Sequence, residues 1–158
     1  MNPELRSYLD KSKAQWKEIK SFLHKNRKNK LLDSWFHKEH EEVFRTLNCL
    51  DCANCCKTTS PIFRDADIRR IAKHLRIKEA ALIEQYLRLD EDQDYVLQKA
   101  PCSFLGPDNT CSIYEHRPLA CREYPHTDRK NMHQILKITE KNTQICPAVA
   151  KILDKLMS

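Results

Sequence analysis

Residues 49–56 read CLDCANCC, so four of the eight cysteines in this 158-residue chain lie within one short segment. Two overlapping CxxC spacings, Cys49 with Cys52 and Cys52 with Cys55, let paired sulfurs reach one tetrahedral ion at about 2.3 Å. Adjacent Cys55 and Cys56 point in different directions in most backbone conformations, so we do not expect both to bind the same ion. Either two metal sites share this segment, or one cysteine of the pair is not a ligand.

The other four cysteines follow at wider spacing, and the local sequence places them at turns or helix starts. They are Cys102, Cys111, Cys121 and Cys146. Gly106–Asn109 predicts a turn between the first two, with the second strand of a hairpin continuing through Ile113 and Tyr114. Proline is tolerated at a first helical position, so Pro118 and Pro147 predict helix starts beside the last two. Amide N–H groups at such starts can donate to a thiolate and favour its negative charge.

Composition predicts one ordinary globular domain with extensions, since 41% of residues are hydrophobic and 32% are charged. No stretch approaches the roughly twenty apolar residues of a membrane span, and the charged N-terminus lacks a secretory signal. We therefore expect a cytoplasmic protein without a membrane partner. Cytosolic thiols are kept reduced, so metal coordination explains eight cysteines better than disulfides or inert buried thiols do. A thioredoxin-like redox CxxC would need a βαβ pattern, which we do not find.

The formal net charge of +6 does not by itself predict a nucleic acid partner. Eight thiolates would add eight negative charges and two Zn²⁺ ions would add four positive ones, leaving +2. The densest basic run, residues 24–30, contains no interleaved aromatic residue. We interpret it as a solvated loop and do not expect nucleic acid to bind.

Apolar residues at helical spacing predict a helical hairpin as an N-terminal extension, residues 1–47. One helix would run from Leu5 to Leu23 and a second from Leu32 to Leu47, with a polar loop at 25–30 between them. We expect this hairpin to pack on the body of the protein. The alternative is a surface for a protein partner or a homodimer.

For the remaining region, residues 48–158, the sequence predicts a compact, metal-stabilised domain. Its fold should be mainly α with small irregular β elements. A helix carrying Ile68 to Leu75 would be capped by Asp65, and after a link that starts at Ile77 a second helix would carry Ala81 to Leu89. The acidic run 90–94 lacks the glycine and the terminal glutamate of an EF-hand, so we interpret it as a solvated turn. Residues 95–97 predict a strand.

Four motifs in a fixed order resemble the CxxCxxCC family of zinc- or iron-chelating domains, the YkgJ-type cysteine-cluster proteins. They are CxxCxxCC at 49–56, PCxFL at 101–105, CSIYEHRPLACREYP at 111–125 and CP at 146–147. The resemblance covers about residues 48 to 148. It implies that all eight cysteines belong to one chelating set.

The same resemblance draws attention to Arg117, Arg122 and Tyr124, which match its RPxxCRxYP signature. Either arginine could offset the charge of about −2 on a thiolate-bound site, because arginine remains protonated. Tyr124 is interpreted as a packed aromatic beside the ligands. His116 and His126 flank Cys121 and remain candidates for alternative ligands or for donors behind the ligands.

Three functions stay open. The first is a metal-binding protein in which two Zn²⁺ ions, or iron, have a structural or interaction role. The second is an iron–sulfur redox protein or enzyme with a [4Fe–4S] cluster. Members of the wider family resemble flagellin lysine N-methylases, in which the cysteine domain is linked to an iron–sulfur cluster. The third is a metal carrier or sensor. With Gly106 as the one glycine, the sequence contains no nucleotide loop or nucleophile elbow, so enzyme activity is undecided.

Overall fold

Nine α-helices and one two-stranded sheet form the structure, a computed structural model that describes residues 1–158. The helices are α1 (Pro3–Ala14), α2 (Trp16–Lys25), α3 (Leu32–Phe44), α4 (Asn54–Thr58), α5 (Asp65–Leu75), α6 (Glu79–Tyr86), α7 (Leu119–Glu123), α8 (Leu136–Asn142) and α9 (Pro147–Leu156). The strands are β1 (Leu87–Leu89) and β2 (Tyr95–Leu97). Helix accounts for 58% of the residues, which confirms the predicted mainly α fold with small β elements.

No helix combines the length and the apolar character that crossing a bilayer requires.

The chain forms two compact units. The first unit combines Met1–Asn54 with Pro125–Ser158, and the second unit comprises Cys55–Tyr124. The N-terminal helices therefore share a unit with the C-terminal helix.

In the first unit, α9 packs against both α1 and α3. Its apolar face is completely buried through Val149, Ile152 and Leu153, which share a core with Phe36 of α3 and Leu23 of α2. Pro147 occupies the first turn of α9, where a missing N–H costs nothing, as the sequence predicts. The predicted apolar stripes thus pack within this unit.

The predicted single N-terminal helix is wrong, because it is two helices that meet at Gln15. This residue has φ −100° and ψ 22°, outside the helical region, so α1 ends at Ala14 and α2 begins at Trp16. Helix α1 packs on α9, whereas α2 packs on α8. The second predicted helix also stops earlier, at Phe44 rather than Leu47.

The second unit is built around α5, α6 and the β1–β2 hairpin, whose buried residues form a separate core. Its strands are antiparallel, with Leu87 opposite Leu97 and Leu89 opposite Tyr95. The prediction that α6 extends to Leu89 is wrong, since the helix ends at Tyr86 and Leu89 lies in β1. Strand pairing extends the backbone here, although the apolar spacing alone suits a helix.

The acidic run between the strands forms the predicted turn, in which the Asp90 carboxylate accepts the N–H groups of Asp92 and Asp94 at 2.9 and 3.0 Å. The start of α5 differs from the prediction. Arg64, rather than Asp65, is the residue before the first turn, and its N–H donates to Asp67 at 2.9 Å.

The turn over Gly106–Asn109 is present, with the Gly106 N–H donating to the Thr110 carbonyl at 2.7 Å. Pairing across it is limited to one bridge, between Leu105 and Cys111. The predicted strand through Ile113 and Tyr114 is wrong. Tyr114–His116 is instead a 3₁₀ turn, and the buried Ile113 side chain belongs to the core of the second unit.

Candidate metal centre

All eight cysteines are thiols rather than disulfides, and they divide between the two units. The first-unit group consists of Cys49, Cys52 and Cys146. The second-unit group consists of Cys56, Cys102, Cys111 and Cys121. Cys55 is the first residue of the second unit, and its thiol makes a hydrogen bond to the Cys56 sulfur.

The first-unit group joins the CLDCANCC segment to the start of α9. Cys49 begins a 3₁₀ turn, and its carbonyl accepts the N–H groups of Cys52 and Ala53 at 3.1 and 2.8 Å. The chain reverses at Ala53, which has a left-handed φ of 49°. The Asn54 side chain then donates to the Ile145 carbonyl at 2.8 Å, one residue before Cys146. This bond ties the two segments of the group together.

Cys146 is the residue that precedes the first turn of α9. The pKa of its thiol is raised to about 12, mainly by burial and also by the neighbouring Cys49 and Cys52 thiols. The amide N–H groups of Ala148 and Val149 donate to the sulfur and act in the opposite direction. Without a cation, this thiol stays protonated; a bound metal ion reverses that balance, since coordination deprotonates a thiol.

The second-unit group draws its cysteines from three parts of the chain. The Cys102 N–H donates to the Cys56 carbonyl at 2.8 Å, which joins α4 to the PCSFL segment. The Leu105–Cys111 bridge brings the next cysteine back beside the same segment. Cys121 lies on α7, whose first turn follows Pro118.

These four thiols affect one another's protonation. The pKa of Cys121 is raised to about 12, mainly by burial and also by Cys56, Cys102 and Cys111. Burial likewise raises the pKa of Cys102 and of Cys111, with Cys56 again contributing. Buried thiols whose charges would repel one another require a cation before they can all ionise.

Cys56 is the exception, since its pKa falls to about 7. The hydrogen bond from the Cys55 thiol is the main cause and exceeds the opposing effect of burial. The positive charges of Arg117 and Lys57 lower it further. Arg117 also lowers the pKa of Cys111 and of Cys121, so one guanidinium favours three thiolates.

Amide N–H groups point at a cysteine sulfur in both groups. In the first unit, Asn54 donates to Cys52 at 3.4 Å, in addition to the two donors to Cys146. In the second unit, Phe104 and Leu105 donate to Cys102, and Ile113 donates to Cys111. Amide donors stabilise sulfur that carries negative charge. The donor set therefore fits thiolate coordination of zinc or iron.

The thiols do not form a closed coordination shell as they lie. No three His, Cys, Asp or Glu side chains converge closely enough to hold one ion. The two groups are defined instead by their backbone connections and by their mutual effects on pKa. Closing either group on an ion at about 2.3 Å would require its sulfur atoms to move closer together.

The other residues singled out from the sequence have different surroundings. Arg117 is half-buried, with its guanidinium 3.8 Å from the centre of the Tyr114 ring. Arg122 is exposed on α7, and Tyr124 is half-buried directly after that helix. His116 stacks on His74 with ring centroids 4.1 Å apart.

His126 belongs to the first unit and has a left-handed φ of 66°.

Sequence reasoning missed Asn54, Asp67 and Arg70. Asn54 is a polar residue within the CLDCANCC segment, and its side chain bonds to the segment before Cys146. Asp67 is fully buried and bonds to α7, and Arg70 donates to carbonyl oxygens just before α7. The available signal for Asp67 was a carboxylate at the third position of a helix, where capping boxes place one.

Comparison with known proteins agrees with this donor set. The model of the CxxCxxCC family, described as a putative zinc- or iron-chelating domain, matches residues 48–147. No curated protein and no solved structure matches the chain. The matched segment covers more than half of the chain and includes every cysteine of both groups. The protein therefore belongs to the CxxCxxCC family of zinc- or iron-chelating domains.

Proposed function

We propose that this protein binds metal through its two cysteine groups and that the ions act mainly to hold the fold together. The second-unit group carries the proposal, because backbone contacts join its segments there, through the Cys102 N–H bond to the Cys56 carbonyl and the Leu105–Cys111 bridge. The charge of Arg117 also favours three of its thiolates. Four sulfurs satisfy a tetrahedral Zn²⁺ ion without an open position. Such a closed site favours a structural role over catalysis at the metal.

The architecture of the second unit supports a structural role. Its strands are three residues each, and α7 has five residues, so hydrogen bonding within these elements stabilises them little. Between β2 and α7 the chain contains no further strand or α-helix and consists of short turns, a 3₁₀ turn and one bridge. An ion bound by Cys56, Cys102, Cys111 and Cys121 would cross-link this irregular part. Its binding energy would then contribute directly to folding.

The first-unit group provides three sulfurs for a second ion. Cys49 is exposed, whereas Cys52 is buried and Cys146 lies at the helix start. A site with an exposed ligand exchanges its metal more readily than a buried one. We therefore expect the first-unit ion to leave before the second-unit ion when a chelator is added.

Anaerobic purification followed by elemental analysis, sulfide analysis and an absorption spectrum tests the proposal. Colourless protein with about two zinc ions per chain supports it. Unfolding should then occur at a lower temperature after a chelator removes the metal, and zinc should restore the original temperature. Protein that keeps its melting temperature with no metal bound would contradict the structural role.

The same measurement decides the alternatives. Stoichiometric iron and sulfide, with a broad absorption band near roughly 400 nm, would show that the protein binds an iron–sulfur cluster and not zinc. That result would favour a redox or methyl-transfer function. Metal that exchanges freely without affecting stability would favour a carrier or sensor.

We also propose a cytoplasmic location, because reduced thiols persist in that compartment. A homodimer or partner contact through the N-terminal helices is tested by measuring the mass in solution.

A further inference from the structure

Asp67 is a fully buried carboxylate in the second unit, and it accepts five hydrogen bonds from three residues. On its own helix it accepts from the Arg64 N–H at 2.9 Å, from the Arg64 guanidinium at 3.2 Å and from Arg70 at 2.8 Å. It also accepts from the N–H of Leu119, the first residue of α7, at 3.2 Å. This last bond joins α5 to the helix that carries Cys121.

Arg70 makes a second connection between the same helices. Its guanidinium donates to the carbonyl oxygens of His116 and Arg117, at 3.3 and 2.7 Å, while it bonds to Asp67. The two side chains together therefore hold backbone groups at 116, 117 and 119. These positions surround Pro118, which has no N–H and therefore donates no hydrogen bond that could hold this part of the backbone.

We propose that Asp67 and Arg70 position the second-unit metal site by fixing the backbone from which Arg117 and Cys121 project. This inference rests on the proposed function and names the residues that orient two parts of that site. Neither side chain needs to touch the ion. Their effect passes through the backbone of α7 and of the turn before it.

The energetics favour a rigid connection. Burial opposes the charge of Asp67, but hydrogen bonds from Arg64, Arg70 and Leu119 outweigh it and hold the pKa of this carboxyl at about 2. It is therefore ionised throughout the neutral range. Breaking a buried ionic network by removing one partner is costly, because the other groups lose their compensation. Small displacements of a ligand also matter, since a four-sulfur site tolerates only short deviations from its metal–sulfur distance.

The test uses the full-length chain loaded with cadmium, with cadmium NMR to observe each thiolate site separately. Cys121→Ser and Cys146→Ser assign the resonances to the second and first units. Asp67→Asn removes the charge and weakens the bond to Leu119. Arg70→Gln removes the donors to the two carbonyl oxygens but leaves the carboxylate with Arg64, so it serves as a second variant if Asp67→Asn does not fold.

We expect both variants to weaken cadmium binding in the second unit by about 10- to 100-fold, the usual effect of removing a group behind a ligand. The second-unit resonance should shift, and the first-unit resonance should not. Leu82→Ala is the matched control, since it removes a buried side chain of the same core and should lower the melting temperature without shifting the resonance.

The outcomes separate the two proposals. If both variants leave the second-unit resonance and its affinity unchanged, the positioning role is wrong while metal binding stands. The positioning role is also wrong if Leu82→Ala weakens binding equally, since general destabilisation would then explain the effect. If the unmodified chain gives no thiolate-bound cadmium, the proposed function fails and this inference fails with it.

Discussion

The side-chain amide of Asn54 donates a 2.8 Å hydrogen bond to the carbonyl oxygen of Ile145. The two residues are distant in sequence, but each is next to part of the first-unit group. The Asn54 backbone N–H also donates to the Cys52 sulfur, and Ile145 immediately precedes Cys146. One asparagine therefore connects both segments that supply thiols to this group.

Replacing Asn54 with alanine should weaken metal binding by the first-unit group about five-fold. The change removes one hydrogen bond to a backbone oxygen, worth about 1 kcal/mol, and loosens Cys52 relative to Cys146. Competition with a chelator measures the affinity. Asn29→Ala is the control, since Asn29 bonds only within its own turn, to the Leu31 N–H. Equal affinities for both variants would remove the positioning role of Asn54.

Replacing Cys55 and Cys56 with serine, one at a time, should have different effects on the metal content. Cys56→Ser removes a thiol that interacts with the other three of its group, so the second-unit ion should be lost. Cys55→Ser should retain that ion, because a serine hydroxyl can still donate to the Cys56 sulfur. Metal content per chain, measured after removal of excess metal, compares the two. If only Cys55→Ser lost the second-unit ion, Cys55 rather than Cys56 would be the ligand of that ion.

In the metal-stripped, reduced protein, Cys56 should be the first thiol of its group to react with iodoacetamide. Its pKa of about 7 lies below the ordinary value, so its thiolate fraction increases as pH rises through about 7. Cys121, with a pKa of about 12, should be the slowest. Peptide mass spectrometry at several pH values gives both rates. Adding zinc should protect Cys56, and unaltered labelling with zinc bound would contradict its role as a ligand.

Replacing Arg117 with glutamine should weaken metal binding by the second-unit group about ten-fold at neutral pH. Its charge lowers the pKa of three thiols, so without it protons compete more strongly with the metal. The deficit should shrink as pH rises, because proton competition disappears. Arg122→Gln is the matched control and should have a smaller effect, since this arginine is exposed and its charge is screened by water. Equal effects would show that the two charges act at long range.

Features that depend on neighbouring residues could be predicted along the chain. The turn at Gly106–Asn109, the helix start at Cys146 and Pro147, and strand β2 all follow from local backbone preferences. The helix break at Gln15 could not be predicted in this way. Nothing in its local pattern interrupts the apolar spacing, and the break is stabilised by packing of α1 on α9 and of α2 on α8. Strand β1 could not be predicted locally either. The apolar spacing of its residues is that of a helix, and only pairing with β2 makes them a strand.

By itself, the sequence determined the number of thiols, the chelating family and the mainly α fold, because each depends on residue identity and local spacing. Only the tertiary structure decided how the thiols divide between Cys49, Cys52 and Cys146 in one unit and Cys56, Cys102, Cys111 and Cys121 in the other. It also decided that Asn54 and Asp67 connect distant segments. The physical reason is that these contacts join residues far apart in the chain, and their geometry depends on how the intervening helices pack.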